Sequence, residues 1–184
     1  NTLHGGNKGF DMVVWDTDQT AETEIIFHYL SADGEEGFPG NLHVRLTYLL
    51  TDDNEFVITH DAVTDKATIV NLTHHSFFNL RGEGEGLIND HILTINADRY
   101  TPVDEELLPT GEILPVDGSP MDFRQPVTIG SRLHKNFGQF VFAKGYDHNW
   151  EITRDSTDAF AFAASVFEPE SGGCLEVFTT EPGI

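Results

Sequence analysis

This sequence predicts an all-β fold, a large antiparallel β-sandwich, on three observations. Apolar residues recur with period two: Leu42, Val44, Leu46 and Tyr48 alternate with Asn41, His43, Arg45 and Thr47, the pattern of a half-buried strand. Turn residues break the chain at short intervals, as in Asp52-Asp53-Asn54, which reads as a hairpin turn. The single helical candidate, Thr128 to Asn136, is one short turn without an apolar stripe. A barrel would satisfy the same pattern; the sandwich is favoured on balance.

The elements follow in order. The Gly5-Gly6 pair allows a sharp turn and holds His4 in a loop rather than mid-strand. Thr23 to Leu30 is rich in β-formers, and the run from Asp33 to Gly40 is a loop. After the hairpin turn, Phe56, Ile58, His60 and Ala62 alternate again. His43 falls on the polar face of its strand, and His60 falls on the apolar face, as a core histidine would. Ala67 to Thr73 reads as a further strand. Arg81 to Gly86 is a surface loop; acidic residues interleave its glycines, so it is no phosphate cradle. Leu93, Ile95 and Ala97 mark another strand. Pro102, Pro109, Pro115 and Pro120 make the segment from Tyr100 to Pro120 an extended connection. Trp150 to Thr153 is a strand after Gly145, and two more close the chain, one through Phe160, Phe162, Ala164 and Val166 and one through Leu175, Val177 and Thr179. No repeat, linker or charge block divides the chain, so residues 1–184 read as one domain.

Composition excludes several partners. With 31 acidic against 10 basic residues the chain carries −21, which repels nucleic acid and anionic membrane surfaces but suits a neutral ligand. No apolar run reaches the length of a membrane span, and the N-terminus lacks a signal-peptide layout. The one cysteine, Cys174, permits no intrachain disulfide and fits a reducing, cytoplasmic compartment. Its expected state is a small buried hydrophobe.

Two polar clusters interrupt the strand pattern: Asn71-Leu72-Thr73-His74-His75-Ser76-Phe77-Phe78-Asn79-Leu80 and Gly145-Tyr146-Asp147-His148-Asn149. In an extended backbone neighbouring side chains point to opposite faces, so only one of His74 and His75 enters a given site. An imidazole there can give or take a proton near neutral pH. The same alternation turns His148 away from Asp147. Nine histidines raise the question of a metal, but no His-x-His pair occurs, and nothing specifies a ligand set. No metal is expected.

Taken with Leu3-His4-Gly5-Gly6, Gly9-Phe10-Asp11 and Trp15, these clusters resemble the motifs of the galactose mutarotase (aldose 1-epimerase) family. Asn71 to Leu80 is similar to that family's Asn-Leu-Thr-Asn-His-Ser-Tyr-Phe-Asn-Leu, and Gly145 to Asn149 to its Gly-(Phe/Tyr)-Asp-His-Asn. The Asp33–Gly40 loop, Pro102-Val103-Asp104-Glu105 and Pro109-Thr110-Gly111-Glu112 also look like family segments, so the resemblance runs the length of the chain in order. Two positions depart from it: His74 stands for the usual Asn, and Phe77 for Tyr.

The resemblance implies the mutarotase supersandwich fold and interconversion of the α and β anomers of a hexose such as galactose or glucose. His75 would be the general acid, and His4 and Asp147 would bind the aldohexose. No cofactor is implied. Ring opening needs an acid at the ring oxygen and a base at the anomeric hydroxyl. The family's base glutamate is expected beyond the Thr179–Gly183 region and a substrate-binding arginine before Leu3, so the chain looks like the middle of a family member. The alternative is a non-catalytic carbohydrate-binding module on the same fold. An enzyme of hexose 6-phosphates would want an arginine cluster, which this arginine-poor chain lacks.

Overall fold

The alternating stretch from Leu42 to Tyr48 forms the centre of the first sheet. The structure is a computed structural model that describes residues 2–156 and 159–184. It divides into two compact units, one ending at Ser76 and one running from Phe77 to Ile184. The first is a four-stranded antiparallel sheet in chain order: β1 (Asp16–Ala21), β2 (Glu24–Ser31), β3 (Leu42–Leu50) and β4 (Phe56–Thr64). The register pairs Tyr29 with Val44, Phe27 with Leu46, Ile25 with Tyr48, and Leu50 with Phe56. All of these side chains therefore share one face. Asn54 takes a left-handed backbone, φ 61°, at the hairpin turn read from sequence.

Two local expectations change, and one strand, β1, carries no signal in the sequence. Strand β1 is polar and exposed along its whole length, so it gives no apolar alternation; its ladder with β2 and an Asp18–His28 contact at 3.3 Å hold it at the edge. His60 is exposed rather than a core residue, because β4 is the sheet's other outer strand and most of its side chains reach solvent. Ala67 to Thr73 forms no strand. β-branched residues favour the extended backbone there, while strand formation also needs a neighbour to pair with.

In the second unit β5 (Ile92–Ile95), β6 (Arg99–Thr101), β7 (Leu114–Pro115), β8 (Val127–Thr128), β9 (Asn149–Glu151), β10 (Ala161–Phe167) and β11 (Cys174–Thr179) build two antiparallel sheets, ordered β8-β5-β10-β11 and β7-β6-β9. One helix, α1 (Gly138–Ala143), precedes β9. Both sheets feed one core, which includes Ile95, Tyr100, Phe123, Trp150, Ala163 and Ala164. Ala163 and Ala164 are both buried although adjacent, because the β10–β11 register slips between Phe162 and Ala164.

The proline-rich connection is anchored at its ends: Pro102, Val103, Val116 and Pro120 are buried, as are Met121 and Phe123 just after it, while most of residues 104–115 are exposed. Proline removes a donor but adds no polar group, so it tolerates burial where its neighbours pack. A 3-10 turn at Ile129–Arg132 lies in the segment expected to hold one helical turn. Cys174 is exposed, not buried, because it begins an outer strand, β11. No helix among the described residues is long and apolar enough to cross a membrane.

Candidate active site

The loop that carries His4 is built from backbone conformations few residues adopt. His4, Gly5 and Gly6 have φ of 51°, 87° and 110°, all left-handed or beyond, which favours glycine after His4. A Cβ at Gly9 would lie 2.1 Å from the His4 carbonyl oxygen, so only glycine lets the loop close on itself there. The Glu36 carboxylate accepts the N–H groups of Asn7 at 2.8 Å and Lys8 at 3.2 Å. Phe10 and Trp15 pack on each other and on Tyr29 of β2, with centroids 5.3–6.1 Å apart. Trp15 donates its indole N–H to the Phe10 carbonyl at 2.9 Å. The loop is thereby fixed to one face of the sheet.

The support continues through the β2–β3 connection. Tyr29 donates its hydroxyl to Glu35 at 2.6 Å. That carboxylate, with burial, pushes the Tyr29 phenol up to about 12. Asp33 accepts Lys66 at 2.5 Å and the Gly40 N–H at 2.6 Å, and these bonds hold its carboxyl below the usual range. Asp65 accepts both the side-chain amide and the backbone N–H of Asn41, which lowers its pKa likewise. These contacts tie the connection to the residues that follow β4 and lead to the histidine pair.

His74 and His75 diverge as the alternation predicts, even without a strand. His74 is half-buried, with its ring edge-on to Tyr48 at 6.3 Å and Phe56 at 6.1 Å, on the face the register assigns to those rings. Ser76 Oγ lies 3.0 Å from His74 Nε2. His75 is exposed and meets His4 edge-to-face, with ring centroids 5.3 Å apart. The first unit therefore brings together two of the three residues singled out in the sequence, and both side chains are exposed.

Asp147 belongs to the second unit and is exposed. Its neighbours are anchored: Tyr146 donates to the Pro120 carbonyl at 3.2 Å, and Trp150 donates to that of Met121 at 3.0 Å. Burial pushes the Tyr146 phenol up to about 12. The chain enters this turn from α1 through Lys144, whose left-handed φ of 56° ends the helix. The His148 ring is half-buried, and burial lowers its pKa against the opposing pull of the Asp147 carboxylate. Two supporting residues escaped the sequence reading. Glu36 lies in an acidic loop like any other, and Gln139 sits in the helix whose six residues are too short for a periodic signal.

The sequence matches the aldose 1-epimerase family over residues 1–184. The chain belongs to that family. It is 47% identical over 184 residues to the galactose mutarotase of Pongo abelii and covers 51% of that protein. Against the aldose 1-epimerase of Escherichia coli it is 39% identical over 184 residues, covering 52%. The crystal structure of galactose 1-epimerase from Lactobacillus acidophilus NCFM aligns with 90% of the chain and 48% of its own length, at a TM-score of 0.79 and 32% identity. The chain thus spans about half the length of the curated relatives it matches.

For an aldose 1-epimerase family chain, the charge layout is informative. Every arginine is already engaged: Arg45 with Asp61, Arg81 with Glu168, Arg99 with Glu151, Arg124 with Asp122, Arg132 with the Asp122 carbonyl and Arg154 with the Thr180 carbonyl. Among the described residues no group of three His, Cys, Asp or Glu side chains could hold a metal ion.

Proposed function

We propose that these residues belong to an aldose 1-epimerase that interconverts the anomers of a neutral aldohexose such as galactose or glucose. The observation that carries the reading is the edge-to-face pair of His4 and His75, exposed on loops that the rest of the first unit holds in place. His75 donates a proton to the ring oxygen as a base takes the proton of the anomeric hydroxyl. The C1–O5 bond breaks and its electron pair goes to O5, while the anomeric hydroxyl becomes the aldehyde carbonyl. Rotation about C1–C2 and closure on the other face reverse these transfers. A positioned acid of this kind contributes ~10²–10⁴-fold.

His4 and Asp147 orient sugar hydroxyls, the carboxylate through charge-assisted hydrogen bonds. The neutral substrate is supported by the arginines, each of which has an internal partner and would have to give it up to bind a phosphate. Polarimetry on freshly dissolved α-galactose tests the proposal in the full-length protein. Catalysed mutarotation that falls by about 10²-fold or more in His75→Ala, with the fold intact by circular dichroism, is expected. A variant that keeps most of the parental rate would remove His75 from the acid role.

A further inference from the structure

Asp147 is exposed and His148 half-buried, and the two residues are joined through the Asp147 backbone. The Asp147 N–H points at His148 Nδ1 across 3.2 Å. On the far side of the ring, His148 Nε2 lies 3.0 Å from Gln139 Oε1. Which nitrogen carries the hydrogen follows from Gln139. Its side-chain amide pairs with the backbone of Val103 in both directions, accepting the Val103 N–H at 2.7 Å and donating to the Val103 carbonyl at 2.9 Å. Only one orientation of the amide satisfies both bonds, so the atom facing His148 is an oxygen. His148 Nε2 must then be the N–H, and Nδ1 keeps the lone pair that accepts the Asp147 amide. The ring itself is wedged between Tyr100 at 6.0 Å and Trp150 at 6.4 Å.

We propose that His148 is a positioning residue for Asp147: the Val103–Gln139–His148 relay fixes one imidazole tautomer, whose Nδ1 holds the Asp147 backbone and so aims its carboxylate. The proposal rests on the reading of Asp147 as a sugar ligand. It also gives His148 a consequence that strand alternation alone would deny it. Burial of the ring favours its neutral form, which acceptance at Nδ1 requires; a protonated ring would set two donors against each other.

Two near-isosteric variants separate positioning from mere packing. Asparagine places its oxygen where Nδ1 was and can still accept the Asp147 N–H, whereas glutamine reaches Gln139 but leaves that amide unpaired. In the full-length protein, His148→Gln is expected to raise KM for galactose about fivefold, the equivalent of one lost hydrogen bond, with little change in kcat. His148→Asn should stay close to the parent. Equal KM values for the two variants, with Asp147→Asn still raising KM, would overturn the positioning role and leave Asp147 as a ligand. An Asp147→Asn protein with unchanged KM would instead overturn the sugar-binding reading and the proposal with it. Should the variants fail to fold, ¹⁵N chemical shifts of His148 in the unaltered protein decide. The Nε2–H tautomer at neutral pH supports the relay, and an Nδ1–H or protonated ring refutes it.

Discussion

The ring of His74 stands edge-on to that of Tyr48 with centroids 6.3 Å apart, while its neighbour His75 meets His4 instead. With no ladder to set the faces of the 67–76 segment, the side chain that docks on the sheet does so. His74 is seated on Tyr48 and Phe56, and the next side chain is turned out toward His4. Tyr48→Ala should therefore lower kcat even though Tyr48 lies outside the candidate site. Aromatic contacts of this sort are worth ~0.5–1.5 kcal/mol, so a drop of about two- to tenfold is expected. Tyr48→Phe, which keeps the ring, should be close to parental. An unchanged kcat in Tyr48→Ala would show that His75 is oriented by something else.

The His4 loop depends on Glu36 in the same indirect way. Replacing Glu36 with Ala leaves the Asn7 and Lys8 amides without their carboxylate acceptor. The site is exposed, which puts the cost near the low end for such bonds, about 1 kcal/mol. Amide hydrogen exchange at residues 7 and 8 should accelerate about fivefold, with a rise in KM for galactose as His4 loses its fixed place. If exchange there is unaltered, the carboxylate is not what holds the loop.

Much of this was legible in the sequence, and the reasons are particular. Strand β3 announces itself because Leu42 and Val44 are buried while His43 and Arg45 are exposed, so hydrophobic alternation and strand coincide; β2 is marked by its β-formers instead. Strand β1 does not announce itself, since both its faces are exposed and its only apolar residue is the terminal Ala21. The divergence of His74 and His75 was readable from backbone geometry alone, although the strand supposed to cause it is absent. His60 shows the converse: an apolar-face position on an outer strand is not a buried one. The Arg81–Glu168 pair, 87 residues apart in sequence, and the Gln139 relay were beyond reach. Both join elements distant in the chain through side chains that look like ordinary surface residues.

Asp147 should act on binding more than on proton transfer. Asp147→Asn keeps the shape and the backbone bond to His148 but removes the charge that strengthens hydroxyl contacts. KM should rise by about tenfold, a loss typical of one charge-assisted bond, while kcat changes less. Equal losses in kcat and kcat/KM would assign Asp147 to the transition state instead.

Glu168 sets an acid limit on the second unit. Its side chain is fully buried, and burial alone would raise its pKa. Hydrogen bonds outweigh this: the Ser171 N–H reaches Oε2 at 2.5 Å and Arg81 Nε reaches Oε1 at 2.9 Å, and the carboxyl is held at about 2. An unfolded glutamate titrates near ~4.3. Because the folded value is the lower one, the stabilisation is fully present above ~4.3 and is lost as pH falls toward about 2. Glu168→Gln removes the charge but keeps the size. Urea unfolding should therefore find the variant less stable at neutral pH and the difference shrinking steadily below ~4.3, until the two proteins converge near about 2. A gap that stays constant across this range would mean that shape and hydrogen bonding at residue 168, rather than the ionised pair with Arg81, carry the effect.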